Sequence, residues 1–389
     1  MGREIAIIGG GLAGLSCAIG LQELGIPFKL FEASNELGGR VGSYKRKQLI
    51  VDKGFQVFLP HYKTSQQLLD ISKLDLCYYP SGATIITNDG PKWFGYNYPE
   101  KLKTGKKVDA RWTDYIQLGI DVLRGISRPR KPGSQCIDHF KKNYSESFSS
   151  EFLEPFFRGV FLDPSCEKSV RQFQYYLHCF FRKGAAIPKL GINEIPKQLV
   201  RKIQPSAIEM DSPISKIESN KLWINNKEHK FQHIVIATDF STCYKLLKIP
   251  EPTNPWSHVT NYILAKRADT QLSPLILNTT TSPISHINIP TLISKHLAPD
   301  NTHYMNVSTF NEDDPKAIEQ EVHKLTGETD WNFVWHNTIH KALPKYHHLV
   351  PNILNDQISI CGDWTNFPSI EGAIESGYRF KSKAKTLIK

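Results

Sequence analysis

Four consecutive apolar residues, Ile5-Ala6-Ile7-Ile8, begin the first regular pattern in the chain. Gly9, Gly11 and Gly14 follow, and from Leu15 the apolar positions recur at helical spacing through Ala18, Ile19, Leu21 and Leu24. A short unbroken apolar run predicts a buried strand, and the three-to-four-residue spacing predicts a helix. After Gly25 a second apolar run, Phe28 to Phe31, ends on Glu32. Strand, glycine turn, helix, strand and acidic residue stand in the register of a βαβ dinucleotide-binding unit.

Each glycine has a mechanical role in that unit. Gly9 permits the tight turn, Gly11 lets the backbone approach a pyrophosphate, and Gly14 lets the helix pack closely. The pyrophosphate is expected at the helix start, at Leu12 and Ala13, where unpaired N–H groups and the positive dipole end meet negative charge. The Glu32 carboxylate, followed by Ala33, suits the two hydroxyls of an adenosine ribose and repels a 2′-phosphate, which disfavours NADP. A secretory leader is disfavoured by Glu4, and a membrane span by Gln22 and Glu23, which interrupt the apolar run early.

Further along, a helix is expected over Tyr62–Leu76, a hairpin over Pro80–Pro99, and an amphipathic helix over Trp112–Ile126 with Tyr115, Leu118, Ile120, Val122 and Leu123 as its apolar positions. Ser127–Ser134, SRPRKPGS, is a basic proline-rich break that suits a loop, including one facing a membrane. Phe148–Phe181 is the most aromatic stretch; it fits a helical core first and an apolar substrate tunnel or lipid contact second. Asp138, Glu151, Glu154 and Arg158 lie close by as polar handles. A helix over Glu194–Ile203 leads to strands at Ala207–Ile217, Lys221–Ile224 and His233–Asp239. Strands at Val259–Ala265, Leu275–Asn278, Ile284–Ile287 and His303–Phe310 and a helix at Pro315–Leu325 precede a loop, Thr338–His348.

After Glu32 the chain reads Gly38-Gly39-Arg40 and then Asp52-Lys53-Gly54-Phe55-Gln56, and near its end Gly362-Asp363 precedes a helix begun near Ser369 with small residues at Gly372, Ala373 and Gly377. Together with the glycine turn, these segments resemble the superfamily of flavin-containing amine oxidases, phytoene desaturases and protoporphyrinogen oxidases. The resemblance covers about half the chain. It implies an α/β fold in which a Rossmann-like FAD-binding domain (residues 1–76, 191–245 and 350–389) is interleaved with an α+β substrate domain (77–190 and 246–349). It also implies that Gly39 and Arg40 reach the FAD phosphates and that Gly54, Phe55 and Gln56 reach the flavin ring. Ile214 is placed at the adenine, Gly362 and Asp363 at the ribityl and pyrophosphate, and Ser369, Ile370 and Ala373 at the flavin pyrimidine edge. An arginine beside a diphosphate and a helix N-terminus beside a reduced flavin are both electrostatically favourable. Trp364 and Phe367 are candidates to line the substrate pocket, or to pack structurally.

The resemblance implies an FAD-dependent oxidoreductase that takes a hydride from a C–H bond of an amine or of a hydrophobic, polyene-like small molecule, passing electrons to oxygen or a quinone. A redox-neutral flavin isomerase and a non-catalytic FAD-binding carrier or assembly protein are the alternatives. Lys295 lies where amine oxidases of this group carry a lysine, but its surroundings, TLISKHLAP, differ, which weakens the amine reading. Cys361 precedes Gly362 rather than occupying a position for a covalent link, so FAD is expected to be held non-covalently. Catalytic side chains are not identified.

Composition changes this picture little. With 48 basic and 38 acidic residues the net charge is +10, which favours anionic surfaces, although nothing resembles a nucleic-acid module. The cysteine count, seven, is odd and without metal spacing, which fits a reducing, cytoplasmic setting, with peripheral membrane contact left open. His336, His340, His347 and His348 cluster in sequence without an ordered ligand set, so no metal is expected.

Overall fold

The computed structural model describes residues 4–127, 129, 133–225, 227–345 and 355–387. A five-stranded parallel sheet is ordered Ile208–Glu209, Phe28–Phe31, Ile5–Ile8, His233–Ile236, Ile358–Ile360. Strands from the beginning, middle and end of the chain therefore lie side by side. Because successive side chains leave opposite faces of a strand, Ile5 and Ile7 pack into one core and Ala6 and Ile8 into another. The first core holds the glycine-turn helix Leu12–Gln22 and the C-terminal helix Ile370–Leu387; the second is closed by the strands Ile214–Glu218 and Lys221–Ile224 and the helix Phe240–Leu247.

The second large sheet has eight strands, ordered Asn332–Pro344, Trp256–Lys266, His303–Thr309, Ile284–Asn288, Leu275–Asn278, Ala83–Thr87, Gly90–Phe94, Lys106–Lys107. Tyr262, Leu264, Met305 and Val307 face the helix Pro315–Thr326 through Ile318 and Val322. The alternate positions, Asn261, Ile263, Tyr304, Asn306 and Ser308, form the other face. There Ile263 and Tyr304 pack on the hairpin Ser43–Asp52, and the Tyr304 hydroxyl donates to the Ile50 carbonyl at 2.7 Å. The aromatic stretch folds as helices above that face. Phe148, Phe152, Phe157, Phe161 and Phe173 are buried, and Phe181 alone among the phenylalanines of this stretch is exposed.

Several expectations are corrected. Tyr62–Leu76 is not one helix: Lys63–Leu68 is helical, Ile71–Leu74 is a 3-10 turn, and Leu76–Tyr78 pairs as a strand with Ala186–Pro188. Ala207–Ile217 is two strands, since Ile208–Glu209 pairs with Leu30–Phe31 and Ile214–Glu218 with Lys221–Ile224, with Pro213, which has no N–H to give, at the break. The expected loop from Thr338 is a strand as far as Pro344, because Thr338 and Ile339 pair with Thr260 and Val259. The rest of that loop, with His347 and His348, lies outside the described residues, as do Arg128, Arg130, Lys131 and Pro132 of the basic break.

Candidate flavin site

The glycine turn has the geometry its spacing predicts. Gly9 has φ +106°, which disfavours any side chain, and an added Cβ on Gly14 would lie 1.9 Å from the Gly9 carbonyl oxygen. A Cβ on Gly11 would meet nothing within 4 Å. Gly11 is the N-cap of the helix that carries buried Leu12 and Ala13, no side chain caps that end, and the N–H groups of a first helical turn have no acceptor within the helix. An open space facing uncapped N–H groups is a cradle for an anion.

Glu32 closes the cradle from the next strand. Its Oε2 accepts from the Gly10 N–H at 2.7 Å, and its Oε1 accepts from the N–H (2.9 Å) and hydroxyl (2.8 Å) of Ser34. Ala33 is exposed. A carboxylate has about four acceptor positions, so Glu32 both braces the turn and retains capacity for a ligand hydroxyl. Ser34 is a residue that sequence reasoning missed; its signal is its place two residues after the acid, where a hydroxyl can reach back. Ser212 N–H donates to the Glu32 carbonyl at 2.8 Å, which brings Ile214, two residues on and half-buried, near the end of the strand that carries Glu32.

The first and last segments of the chain meet at Arg40. Its Nη2 donates to Asp363 Oδ1 at 2.5 Å, its Nη1 to the Ala342 carbonyl at 3.0 Å, and its guanidinium lies 5.6 Å from the Trp256 ring centre. The Asp363 side chain is 5% exposed, and its negative charge raises the Arg40 guanidinium above its ordinary range against the opposing effect of burial. Gly39 has φ +61°, and a Cβ there would lie 3.3 Å from Gly11 Cα, so the two glycine segments are in contact. Gly362 N–H donates to Ser376 Oγ, and Ser369 Oγ accepts from Gly372 N–H at 2.8 Å, capping the C-terminal helix beside half-buried Ile370 and Ala373. That helix lies against the first one, since a Cβ on Gly377 would lie 1.9 Å from the Ala13 carbonyl oxygen.

Gly54, Phe55 and Gln56 face the inner side of the large sheet. With Asp52, Tyr79, Asn288, Tyr304 and Asn306 they border one cavity. Gln56 Oε1, Asn261 Nδ2 and Asn306 Oδ1 are buried without a hydrogen-bond partner, and Asn261 Nδ2 lies 3.6 Å from where a Gly54 Cβ would be. Orphaned polar atoms are costly, and three beside one glycine segment fit a ligand that supplies their partners. Phe55 stands 5.4 Å from the His286 ring, whose burial lowers its pKa to about 4 and so keeps it neutral near pH 7.

Asp52 ties this segment to the loop at Gly191. Its Oδ1 accepts from Ser43 Oγ at 2.6 Å and from Ile192 N–H at 3.0 Å, while burial pushes its carboxyl up to about 6. An acid raised above its unfolded value of about 3.9 stabilises the fold fully only at low pH, and that contribution is lost as pH rises from about 4 through 6. The difference in unfolding free energy between wild type and Asp52→Asn is therefore expected to change by about 2–3 kcal/mol between pH 4 and 7, in favour of the variant as pH rises. Urea titrations of both proteins at intervals of pH check this, and a flat difference would contradict a buried, proton-holding Asp52.

Trp364 and Phe367 do not line the pocket. Both are 1% exposed: Trp364 donates to the Thr238 carbonyl at 3.2 Å and packs edge-on to Phe240, and Phe367 packs edge-on to Tyr175. Burial of the large indole beneath the sheet outweighs its nearness in sequence to Asp363. Lys295 is exposed on a 3-10 turn and does not border the cavity at Gly54–Gln56. Glu151 pairs with Lys92 and Glu154 with Arg158, while Asp138 is exposed. Cys361 is buried, and all seven cysteines are free thiols. Among the described residues no cluster of His, Cys, Asp or Glu is placed to hold a metal ion, and no helix is long and apolar enough to cross a membrane.

Comparison with known proteins agrees with this geometry. A family model described as flavin containing amine oxidoreductase matches residues 12–264. 4,4'-Diaponeurosporene oxygenase of Staphylococcus aureus is 24% identical over 188 residues, which are 41% of this chain and 37% of that protein. The chain thus aligns with well under half the length of that relative. Among solved structures, an oxidoreductase from Methanosarcina mazei superposes with a TM-score of 0.75 at 17% identity, covering 97% of this chain and 100% of that one. Reduced UDP-galactopyranose mutase superposes with a TM-score of 0.68 at 14% identity, covering 99% and 96%. At these identities the structures share the fold. The cofactor that follows is FAD, whose pyrophosphate suits the cradle at Gly11 and whose ring suits the unpartnered polar atoms around Gly54. With its family model matched over well more than half of its length, the chain belongs to the flavin containing amine oxidoreductase family.

Proposed function

We propose that this protein is an FAD-dependent oxidoreductase that removes a hydride from a C–H bond of an apolar, polyene-like small molecule. The observation that carries the choice of substrate is the wall beside Gly54–Gln56: Phe55, Tyr79, Asn288, Asn306 and His286 held neutral by burial, with its one acid, Asp52, engaged by Ser43 and Ile192, and Lys295 exposed on the surface. The partial likeness to an enzyme named for a polyene, diaponeurosporene, supports the same class. Bound FAD supplies the hydride acceptor, at N5 of its ring.

This chain's residues do the rest. The N–H groups at Leu12 and Ala13 would hold the pyrophosphate, Glu32 would accept from ribose hydroxyls, and backbone at Ile214 would meet the adenine. Arg40 and Asp363 lock the two cofactor-binding ends of the chain together. The start of the C-terminal helix, at Ser369, Ile370 and Ala373, places positive dipole charge where a reduced ring is negative. Asn261, Asn306 and Gln56 orient ring or substrate, and the aromatic helices exclude water, which strengthens each of these contacts. Oxygen or a quinone would serve as the final electron acceptor. A substrate of this class dissolves in lipid, so the reading includes peripheral contact with a membrane.

The test is anaerobic mixing of the purified yellow protein with a linear conjugated polyene and, separately, a panel of primary amines, following loss of the oxidised flavin band. Bleaching by the polyene and not by the amines is the expected result. Bleaching by amines alone overturns the substrate class. Conversion seen only after the flavin has been reduced, with no net change in its redox state, makes the protein an isomerase.

A further inference from the structure

The helix Trp112–Arg124 is inside out. Its buried positions include two acids, Asp114 and Asp121, with Leu118 between them. Asp114 accepts from the N–H groups of Arg111 and Ser145, both at 2.7 Å, and from Ser145 Oγ at 2.6 Å. Asp121 accepts from Gln174 Nε2 at 2.7 Å, Tyr144 hydroxyl at 2.7 Å and Gln117 Nε2 at 3.0 Å, and pairs with His139 Nε2 at 2.8 Å. At the helix end, Gly125 presses on the helix Val170–Lys183; a Cβ there would lie 1.8 Å from the Gln174 carbonyl oxygen. The polar face is thus committed inward by buried hydrogen bonds, and the helix cannot roll to hide its other side without leaving two carboxylates unpaired.

That other side is apolar. Trp112, Tyr115, Ile116, Ile120 and Leu123 are all exposed, Trp112 by 74% and Leu123 by 67%, and they follow the i, i+3, i+4, i+8, i+11 spacing of a single helical stripe. Gly119 completes the stripe, and Ile126 extends it beyond the helix end. More than half of the large exposed hydrophobic side chains among the described residues lie here. No acid interrupts the stripe. Exposed Arg111 and Arg124 stand at its two ends, and the segment before it carries exposed Lys106 and Lys107 with one exposed acid, Asp109. At the end of the neighbouring helix, exposed Phe181 is followed by exposed Arg182 and Lys183.

We propose that this stripe is a docking surface for an anionic lipid bilayer, lying in the interface with its apolar side chains among the acyl chains and its flanking cations on the headgroups. The charge selects this occupant: an apolar stripe with cations at both ends and no acid complements a negative membrane surface, whereas a second copy would bring like charge against like. The proposal extends the reading of an apolar substrate, and it is tested by binding without turnover, so that either can fail alone.

The experiment is co-sedimentation of the FAD-loaded full chain with vesicles of phosphatidylcholine alone or of phosphatidylcholine mixed equally with phosphatidylglycerol. Wild type is expected to pellet with the anionic vesicles, and Ile116→Glu/Leu123→Glu to lose at least about tenfold in partitioning while keeping its flavin spectrum. Arg111→Gln/Arg124→Gln is expected to retain weak binding but lose the preference for anionic lipid. Both pairs are at the surface, and circular dichroism verifies that they fold. Wild type left in the supernatant with both vesicles, or the glutamate variant pelleting as well as wild type, overturns the proposal. So does a wild-type dimer in sedimentation velocity that the glutamate variant abolishes, which would assign the stripe to a second copy.

Discussion

Gly11→Val is expected to yield a folded, colourless protein. Gly11 has φ −74° and ψ 179°, an extended conformation that valine adopts readily, and a Cβ there meets nothing within 4 Å. Protein packing therefore gives no reason for glycine at this position. A pyrophosphate does, because the added methyl groups would occupy the space that the uncapped helix end faces. Affinity for FAD should fall by at least about a hundredfold, equivalent to about 2.7 kcal/mol, while the apo-protein unfolds in urea within about 1 kcal/mol of wild-type apo-protein. Gly14→Val makes the control: its Cβ would fall 1.9 Å from a backbone oxygen, so it should fail to fold rather than merely fail to bind. Flavin absorbance of the purified proteins and titration with added FAD read both effects. Full flavin content in Gly11→Val would sink the assignment of the turn.

Arg40→Met should lose stability as well as cofactor. Asp363 has a nearly buried side chain, and Arg40 is the cation that pairs with it in the structure. Breaking a buried pair from one side leaves an uncompensated charge, at a cost of about 3–5 kcal/mol when burial is complete. Because the Arg40 side chain is 34% exposed, water can reach the gap, and about 2–3 kcal/mol is the expected loss. The double variant Arg40→Met/Asp363→Asn removes the orphan charge and should recover much of that stability. It should not recover FAD, since the guanidinium proposed to meet the phosphates is still missing. Denaturant curves of the two single variants and the double variant, without and with FAD, separate the roles. Equal stability of Arg40→Met and wild type without FAD would show that the ion pair holds nothing together.

The parts of this protein determined by the sequence alone are those whose cause is local. Strand, turn and helix from Ile5 to Gln22 are legible because an apolar run, glycines and a 3.6-residue period each act over a few neighbours. The hairpin of Ala83–Thr87 and Gly90–Phe94 is legible for the same reason. The family resemblance at both ends of the chain pointed to a flavin, but not to the ion pair between Arg40 and Asp363, two residues that only the fold brings together.

Tertiary structure decided everything that depends on what a segment meets. Thr338–Pro344 is a strand because Trp256–Lys266 offers it an edge, although its own residues read as a loop. Trp364, beside the flavin segment in sequence, is drawn into the core under Phe240, where its large surface is removed from water and its N–H finds the Thr238 carbonyl. The helix at Trp112 was visible as a period, but a period marks a face without saying which way it points. There the acids Asp114 and Asp121 find buried donors on two other segments, at Tyr144–Ser145 and at Gln174, and those hydrogen bonds outweigh the usual preference for hiding the apolar side.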